Sequence, residues 1–381
     1  MNRKRLWFGI SVAAIIVIIV LFLFKIGDRN EKGIVIGGLF ALTGDGADWG
    51  STEEKAVRLA IQKANEAGGV NGKEIKLIVE DGPAEKVNDS VTAFRKLVDI
   101  NKVSVILGPT WDDVAAAVAP LADQNKVVVI APDASSGIET KKDYEFFFSI
   151  FTPEYSEMAR VVKYLKSKGI KKVSTVYNQD PFSQQWRDAF VMEARRVGLE
   201  LIPEFPISDP DTKDFRTQIT KLKENRPDAV YVEFTSQDTK GPFMRQAKEL
   251  DLKSLLISSS TSETESTLEK YGKYIEGLIY AFPKKTSQQM EFLSQYRSKY
   301  GEIPKAPAAP YAYDAANMVI KVLREGARTG EEIRKALLAI KDFQGVTAEH
   351  ISFNEKGRIL WPEEGFIIKT VKDGKFIEVS N

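Results

Sequence analysis

The chain lacks cysteine altogether and has one histidine, His350, among its 381 residues. The lack of cysteine excludes disulfides, thiolate nucleophiles and zinc–thiolate sites. A single histidine leaves little material for histidine-based catalysis or a multi-histidine metal site. No Ser–His–Asp arrangement and no distinctive carboxylate pair are present. We therefore expect no enzyme activity, assign no catalytic residue or metal ligand, and expect no cofactor.

The chain also lacks an excess of either charge, since 54 lysines and arginines face 53 acidic residues. Proteins that bind nucleic acid through the phosphate backbone carry a basic patch or stripe, and none is visible here. The balance therefore argues against a nucleic-acid partner. Apolar residues make up 43% of the chain, which suffices for sizeable cores in two domains.

The N-terminus combines basic residues with one long apolar run. Asn2-Arg3-Lys4-Arg5 precedes residues 6–24, "LWFGISVAAIIVIIVLFLF". As a helix this run spans roughly 28 Å, close to the hydrocarbon thickness of a bilayer. Its basic flank predicts a cytoplasmic N-terminus and an extracytoplasmic remainder. Residues 1–32 are thus predicted to form a signal-anchor helix and linker at the cell membrane. The alternative is secretion after cleavage of a signal peptide, although no small-residue cleavage pattern follows the run.

Beyond residue 33, short apolar runs alternate with helical patterns in two successive series. "IVIGGLF" and "IKLIVED" open the first series, and "KKVSTVYN" and "DAVYVEF" belong to the second. Ser51-Thr52-Glu53-Glu54 has the spacing of a capping box and predicts the start of the first helix. The alternation predicts an α/β protein with two lobes, each built on a mostly parallel sheet. Ligands of such sheets bind beyond the carboxyl ends of the strands.

Polar and aromatic residues follow two neighbouring strands of the first series. Thr110, Trp111 and Asp112 come after "VSVIL", and Asp133 and Ser135 come after "VVVIA". The topology of parallel strands predicts that both loops meet at one edge of the sheet. Helix capping and turn formation are the simpler explanations for these carboxylates.

A glycine-rich stretch, "GDGADWG" at residues 44–50, superficially resembles a dinucleotide fingerprint. Its spacing departs from G-x-G-x-x-G, and no acidic residue closes a second strand at the expected distance. We therefore predict no nucleotide site. Trp49 on this stretch is a candidate either for the core or for a cleft wall.

Six stretches, in order along the chain, resemble the branched-chain amino-acid, amide and urea class of solute-binding proteins that serve ABC importers. They are "IGGLFALTGDGADWG" with the following "AIQKANEAGGVNGKEIKLIVEDG", then "VILGPTWDDVAAAVAPLADQNKVVVIAP", "DTKDFRTQITKLKENRPDAVYV", "PYAYDAANMVI" and "FQGVTAEHISFNEKGR". The resemblance covers residues 33–379. It implies a type I periplasmic-binding fold, in which two Rossmann-like lobes are joined by three crossovers.

The implied division assigns residues 33–150 and 284–351 to lobe 1 and residues 151–283 and 352–381 to lobe 2. The crossovers are then expected near 149–153, 281–285 and 350–354. The resemblance also implies that a small ligand binds between the lobes, that the lobes close over it by a hinge motion, and that the closed form docks on an ABC permease. We expect a monomer.

The same resemblance assigns ligand-binding roles to five residues. Trp49 and Phe182 match aromatic rings that pack on the ligand from opposite lobes. Ser135 matches a hydroxyl residue that binds the head group of an amino acid, and Asp133 adjoins it. Thr235 lies at, or one place beyond, a pocket residue.

Two residues depart from the family pattern. Asp112 stands where amino-acid binders carry a serine for the ligand carboxylate, and Ser260 stands where they carry an acid for the ammonium group. A carboxylate that faces a carboxylate is repulsive unless a proton or cation intervenes. Either Thr110 takes the role of the serine, or the ligand is cationic or amide-rich rather than an ordinary α-amino acid.

The sequence thus leaves two functions open besides the disfavoured enzyme. The first is the extracytoplasmic binding component of an ABC importer for an amino acid or a related amide or amine. The second is a ligand-sensing receptor ectodomain of the same fold that acts through a partner protein.

Overall fold

The computed structural model describes residues 33–134 and 144–379. The predicted anchor at residues 6–24 and the candidate Ser135 lie outside these ranges. Within the described ranges no helix is both long and apolar enough to cross a bilayer.

The first sheet contains five parallel strands in the spatial order β2-β1-β3-β4-β5. Val, Ile and Leu dominate these strands because helices cover both faces of such a sheet. The strands are β1 Ile34–Phe40, β2 Ile75–Asp81, β3 Val105–Leu107, β4 Val128–Ala131 and β5 Phe147–Ser149.

Ten further strands follow along the chain and form a second sheet and a short ribbon. They are β6 Lys172–Asn178, β7 Glu200–Leu201, β8 Phe205–Ile207, β9 Ala229–Glu233, β10 Leu255–Ile257, β11 Ile279–Pro283, β12 Ser352–Phe353, β13 Ile359–Leu360, β14 Phe366–Lys372 and β15 Lys375–Glu378. The second sheet has the order β15-β14-β11-β10-β9-β6-β7, with β8 also beside β6. Strand β14 runs antiparallel to β11, and β12 and β13 form the ribbon.

The helices alternate with the strands in both series. They are α1 Ala47–Glu66, α2 Val87–Arg95, α3 Asp112–Asn125, α4 Glu154–Ser167, α5 Pro181–Arg196, α6 Arg216–Asn225, α7 Gln237–Glu249, α8 Glu265–Tyr271, α9 Ser287–Tyr300, α10 Ala309–Arg324 and α11 Gly330–Ala339. The predicted α/β class with mostly parallel sheets is confirmed.

The chain passes between the two sheets three times. It leaves the first sheet after β5 and returns after β11, since α10 packs on α1 and α11 contacts β4. It then passes back to add β14 to the second sheet. The precise lobe boundaries stay a prediction.

The start of α1 corrects the sequence prediction. The helix begins at Ala47 after a single 3₁₀ turn, Gly44–Gly46, and no side chain caps it. The supposed capping box at residues 51–54 therefore lies inside the helix, where the backbone N–H groups already have partners.

Two glycines, Gly50 and Gly108, allow α1 and the loop after β3 to pack closely against the end of β1. A Cβ on Gly50 would lie 2.1 Å from the carbonyl oxygen of Ala41, so glycine allows α1 to approach the end of β1. Gly108 has a φ of +108°, and a Cβ there would lie 2.0 Å from the carbonyl oxygen of Leu39. The loop after β3 is consequently held against the loop after β1.

Candidate ligand-binding site between the two sheets

The loop after β3 is fixed by Thr110, which is 1% exposed. Its hydroxyl donates to Glu53 Oε2 at 2.5 Å and accepts from the backbone N–H of Ala41 at 3.0 Å. Thr110 therefore joins the ends of β1 and β3 to α1. Its hydroxyl is already engaged, which weakens the alternative that Thr110 serves as the ligand-binding serine.

Glu53 is a functional candidate that the sequence prediction missed. It points inward from α1 and is fully buried. Its position on the same helix face as Val57 and Ala60 could have revealed it, because i, i+4 and i+7 positions share a face. Burial raises the pKa of Glu53 to about 8, although the hydrogen bond from Thr110 lowers it in part.

Asp112 and Asp133 are also buried at this edge, with 8% and 7% exposure. Burial raises the pKa of Asp133 well above its usual range, and the negative charges of Glu53 and Asp112 raise it further. The predicted convergence of the two strand-end loops is thus observed for these two residues. Asp112 is the first residue of α3 and Trp111 is its N-cap residue, without a side-chain capping bond.

Two half-buried indoles adjoin these acidic residues along the chain: Trp49 lies one helical turn before Glu53, and Trp111 directly precedes Asp112. The ring centroids of Trp49 and Trp111 lie 6.2 Å apart with an interplanar angle of 49°. Trp49 lies on the first turn of α1 rather than ahead of it. The Nε1 atom of Trp111 is buried without a hydrogen-bond partner in the described part of the chain.

In the second sheet, Asp180 organises the loop after β6. It caps α5 by accepting from the backbone N–H of Ser183 at 2.8 Å, and it accepts from the hydroxyl of Thr235 at 2.8 Å. Phe182 is half-buried on the first turn of α5, with its ring 5.9 Å from that of Trp186. Thr235 is exposed. Both candidates are linked to Asp180, because Thr235 donates a hydrogen bond to it and Phe182 lies on the helix that it caps.

Ser260 follows β10 and is 6% exposed. Its backbone N–H donates to Glu157 Oε1 at 2.7 Å, and its hydroxyl donates to Glu157 Oε2 at 2.8 Å. Glu157, which the sequence prediction missed, thus places a carboxylate beside the serine. Burial raises the pKa of Glu157 well above its usual range, and the bonds from Ser260 lower it in part.

A second buried network fixes the same loop. Lys240 Nζ lies 2.8 Å from Glu233 Oε1 and donates to the hydroxyls of Ser258 and Ser262 at 3.1 and 3.2 Å. The phenol of Tyr231 donates to the other oxygen of Glu233 at 2.8 Å. This carboxylate therefore has both a cation and a phenol as partners.

The groups from the two sheets face each other. Helix α3 contacts α5, and the pKa of the exposed Asp113 is raised by partial desolvation of its carboxyl group and then by the charge of Asp180. Tyr311 lies between them on α10, where its hydroxyl is 2.5 Å from that of Thr152 in the first crossover. Burial raises the pKa of Tyr311, and the charges of Glu157 and Asp133, one from each side, add to the shift.

The structure therefore brings most of the predicted residues to one region, in two groups. The first wall consists of the predicted Trp49, Thr110, Trp111, Asp112 and Asp133 together with Glu53. The second wall consists of the predicted Phe182, Thr235 and Ser260 together with Glu157 and Glu233. Their roles as ligand contacts stay predictions. Within residues 33–134 and 144–379, no cluster of His, Cys, Asp and Glu has the arrangement of a metal site.

Comparison with known proteins gives a consistent assignment. The family described as "Periplasmic binding protein" matches residues 33–375. A Leu/Ile/Val-binding protein homolog from Brucella melitensis is 22% identical over 360 residues, which cover 93% of each chain. Another from Brucella abortus is 23% identical over 380 residues, or 98% of each chain.

Solved structures show the same fold. The branched-chain amino acid transporter substrate-binding protein LivJ from Streptococcus pneumoniae, in complex with isoleucine, has a TM-score of 0.78 at 23% identity and covers 91% of this chain and all of its own. The leucine-binding protein LivK from Thermotoga maritima has a TM-score of 0.80 at 20% identity, over 91% and 98% of the two chains. A solute-binding protein from Rhodopseudomonas palustris, in complex with 3,4-dihydroxybenzoic acid, has a TM-score of 0.77 at 24% identity, over 92% and 97%.

Proposed function

We propose, from the premise that this chain belongs to the periplasmic binding protein family, that it is the extracytoplasmic solute-binding component of an ABC importer. It captures an amino acid or a related small amide or amine by closure of two lobes. It delivers this ligand to permease subunits as a monomer and catalyses no reaction.

One observation carries the proposal: the ends of parallel strands in the two sheets present facing groups of aromatic and polar side chains. Trp49 and Asp133 lie on the first side, and Phe182 and Ser260 lie on the second. Clefts beyond the carboxyl ends of parallel strands are the usual ligand sites of such sheets.

The first crossover supports a hinge at the floor of this cleft. The ring of Phe151 lies 6.4 Å from that of Trp186 on α5 and 5.6 Å from that of Tyr311 on α10. The Thr152–Tyr311 hydrogen bond adds a polar link at the same point. Hinges are a few loop residues that absorb backbone changes between two rigid bodies, and residues 150–153 of this crossover lie in such a loop, with Phe151 anchored to both sides. The ligand shifts the open–closed balance only by its differential affinity for the two forms.

The ligand class follows in part from the relatives. Structural neighbours bind isoleucine or leucine, and another binds 3,4-dihydroxybenzoic acid. The fold therefore accommodates small ligands of different charge, and the side chains of each cleft decide among them. An amino acid or a related amide or amine is the class that the aromatic and polar groups of this cleft fit.

The predicted anchor completes the proposal. Residues 6–24 would hold the binding domain at the outer face of the cell membrane, close to its permease. If the helix stays uncleaved, the protein from its native host begins at or near Met1 and sediments with membranes. A soluble form that begins after Lys25 would establish the secreted alternative.

The test of binding is a thermal-shift screen of the protein against amino acids, amides, urea and polyamines. A ligand at a hundredfold excess over its Kd stabilises the folded state by about 2.7 kcal/mol. A hit should then be taken up by cells that carry the gene and not by cells that lack it. Ligand binding without any dependence of uptake on the gene would favour the sensor ectodomain over the importer component.

A further inference from the structure

Two carboxyl groups of the first wall are buried close to each other. Glu53 is 0% exposed and Asp133 is 7% exposed, and each lies within the electrostatic range of the other. Two like charges in a low-dielectric surrounding repel each other strongly. A stable ionised pair at this place needs a positive charge.

The described part of the protein supplies no such charge. No lysine or arginine of residues 33–134 and 144–379 is among the groups that act on the pKa of Glu53 or Asp133, and neither forms an ion pair there. The Oε1 atom of Glu53 is buried and accepts no hydrogen bond there, although Oε2 accepts one from Thr110. A fully buried carboxylate oxygen without a donor is costly, which indicates a place for an external donor.

The other charged groups around this wall are acidic or already engaged. Asp112 and Asp113 lie on α3, Asp180 faces Asp113 from the second lobe, and the phenol of Tyr311 lies within range of Asp133. The lysines on and beside α1 have acidic partners of their own: Lys55 pairs with Glu302, and Lys305 lies 3.3 Å from Asp48.

Aromatic rings border the same wall. Trp49 precedes Glu53 by one helical turn, Trp111 directly follows Thr110, which bonds to Glu53, and the two indole rings lie 6.2 Å apart. The face of an indole attracts a cation, and a Trp face next to a carboxylate is the usual recognition chemistry for ammonium and guanidinium groups. This feature indicates the same kind of ligand independently of the carboxyl groups.

We propose that the cleft takes a ligand with a cationic nitrogen, a protonated amine or a guanidinium group, and without a carboxylate beside it. This inference rests on the proposed binding function and specifies its ligand class. The nitrogen donates to Glu53 Oε1 and Asp133 and lies against the indoles. A ligand carboxylate at the same end would meet two or more buried acids.

The test compares ligands that differ only at the carboxylate. The full-length protein is titrated calorimetrically with leucine and leucinamide, with arginine and argininamide, and with agmatine and putrescine. We expect at least one amide or polyamine to bind, and each amide to bind at least tenfold more tightly than its parent amino acid. Amino acids that bind as tightly as their amides would overturn the inference and leave the proposed function intact.

A pH series on the wild-type protein is the second measurement. Burial raises the pKa of Glu53 to about 8 and also raises the pKa of Asp133, so a cation that binds to the ionised carboxylates competes with protons. The affinity for agmatine, whose charge stays constant over this range, should rise at least tenfold from pH 6 to pH 8. Titration in buffers of different ionisation enthalpy should show proton release. An affinity that is constant with pH would contradict the inference without the need for any variant.

Neutral isosteric variants complete the design. Glu53→Gln and Asp133→Asn should each reduce the affinity for the amide or polyamine at least tenfold and reduce its preference over the parent amino acid. The matched control is Asp314→Asn, since Asp314 is equally buried but both of its oxygens accept hydrogen bonds from residues 346–347. The control should leave the preference unchanged. Failure of every ligand to bind the wild-type protein would count against the proposed function itself.

Discussion

Both walls of the cleft contain buried carboxylates, but Glu233 of the second wall has a lysine beside it, whereas Glu53 of the first wall has none in the described part of the protein. In the second wall, Glu233 has Lys240 at 2.8 Å and the phenol of Tyr231 at 2.8 Å. In the first wall, Glu53 has the hydroxyl of Thr110 on one oxygen and no donor on the other in the described part of the protein.

The difference separates a structural use of buried charge from a binding use. The Glu233–Lys240 network is complete without a ligand, so it fixes the loop at residues 258–262 and positions Ser260 before binding. The first wall carries an unmatched charge that only a proton or a ligand can balance. On the proposal made above, the Glu233–Lys240 network is fixed before binding and the first wall selects the charge of the ligand.

Removal of Lys240 should give the largest effect, because it makes the second wall resemble the first. Lys240→Met leaves Glu233 buried without a cation, and loss of one partner of a buried pair destabilises by about 3–5 kcal/mol. Chemical denaturation would measure the change in the free energy of unfolding.

The control for this variant is the double substitution Lys240→Met with Glu233→Gln. It removes the stranded charge and should restore at least half of the lost stability. If Lys240→Met alone has the same free energy of unfolding as the wild type, the Glu233–Lys240 network does not stabilise the fold, and the comparison of the two walls fails.

The next effect concerns Asp112 in the first wall. Asp112→Ser removes a negative charge from the cleft and should weaken the binding of a cationic ligand by about 1.5–3 kcal/mol, the range for hydrogen bonds to charged groups. It should also raise the affinity for ordinary amino acids. Calorimetric titration with both ligand types measures the two changes. If Asp112 only supports the start of α3, both affinities and the stability should barely change, because serine suits a helix start nearly as well.

The sequence predicted the two sheets because their strands are buried apolar runs that end at turn residues. It predicted β1 and β2 at residues 34–40 and 75–81 as observed. The apolar run at residues 199–207 is an exception, because its pattern is that of one continuous strand. It forms the separate strands β7 and β8, with Pro203 between them. Proline has no N–H to donate and so interrupts a ladder.

The site was less predictable because its contacts join residues that are distant in the sequence. Glu53 bonds to Thr110 across 57 residues, and Glu157 bonds to Ser260 across 103. A local pattern assigned Glu53 to a capping box, yet the fold turned it inward. Strand-end topology did predict that Asp112 and Asp133 meet, because that rule depends only on the direction of the strands.

The aromatic rings offer a smaller test, one on each wall. Trp49→Ala and Phe182→Ala should each weaken ligand binding by about 1–3 kcal/mol, as expected for loss of an aromatic anchor. If the first wall selects the cation, the tryptophan variant should lose more affinity for a cationic ligand than for a neutral amide. Met192→Ala, which changes a 53% exposed side chain on α5, is the control and should have no effect. A variant that unfolds while its folded fraction keeps full affinity would place that ring in the core.

The smallest expected effect arises where the walls meet, between Asp113 and Asp180. The charge of Asp180 helps to raise the pKa of Asp113, so the two carboxylates repel each other when the lobes approach. Asp113→Asn should favour closure and increase ligand affinity by about two- to fivefold at low ionic strength, a few tenths of a kcal/mol to about 1 kcal/mol. Because Asp113 is exposed, the gain should disappear near 1 M salt, where the screening length falls to about 3 Å. The control is Asp373→Asn, which removes an exposed charge from a turn. Residue 373 has a φ of +52°, which suits asparagine, so this variant should leave ligand affinity unchanged.

If the Asp113 variant shows the same gain at high salt, a direct contact with the ligand is the cause, and Asp113 then belongs to the first wall together with Asp112 and Asp133.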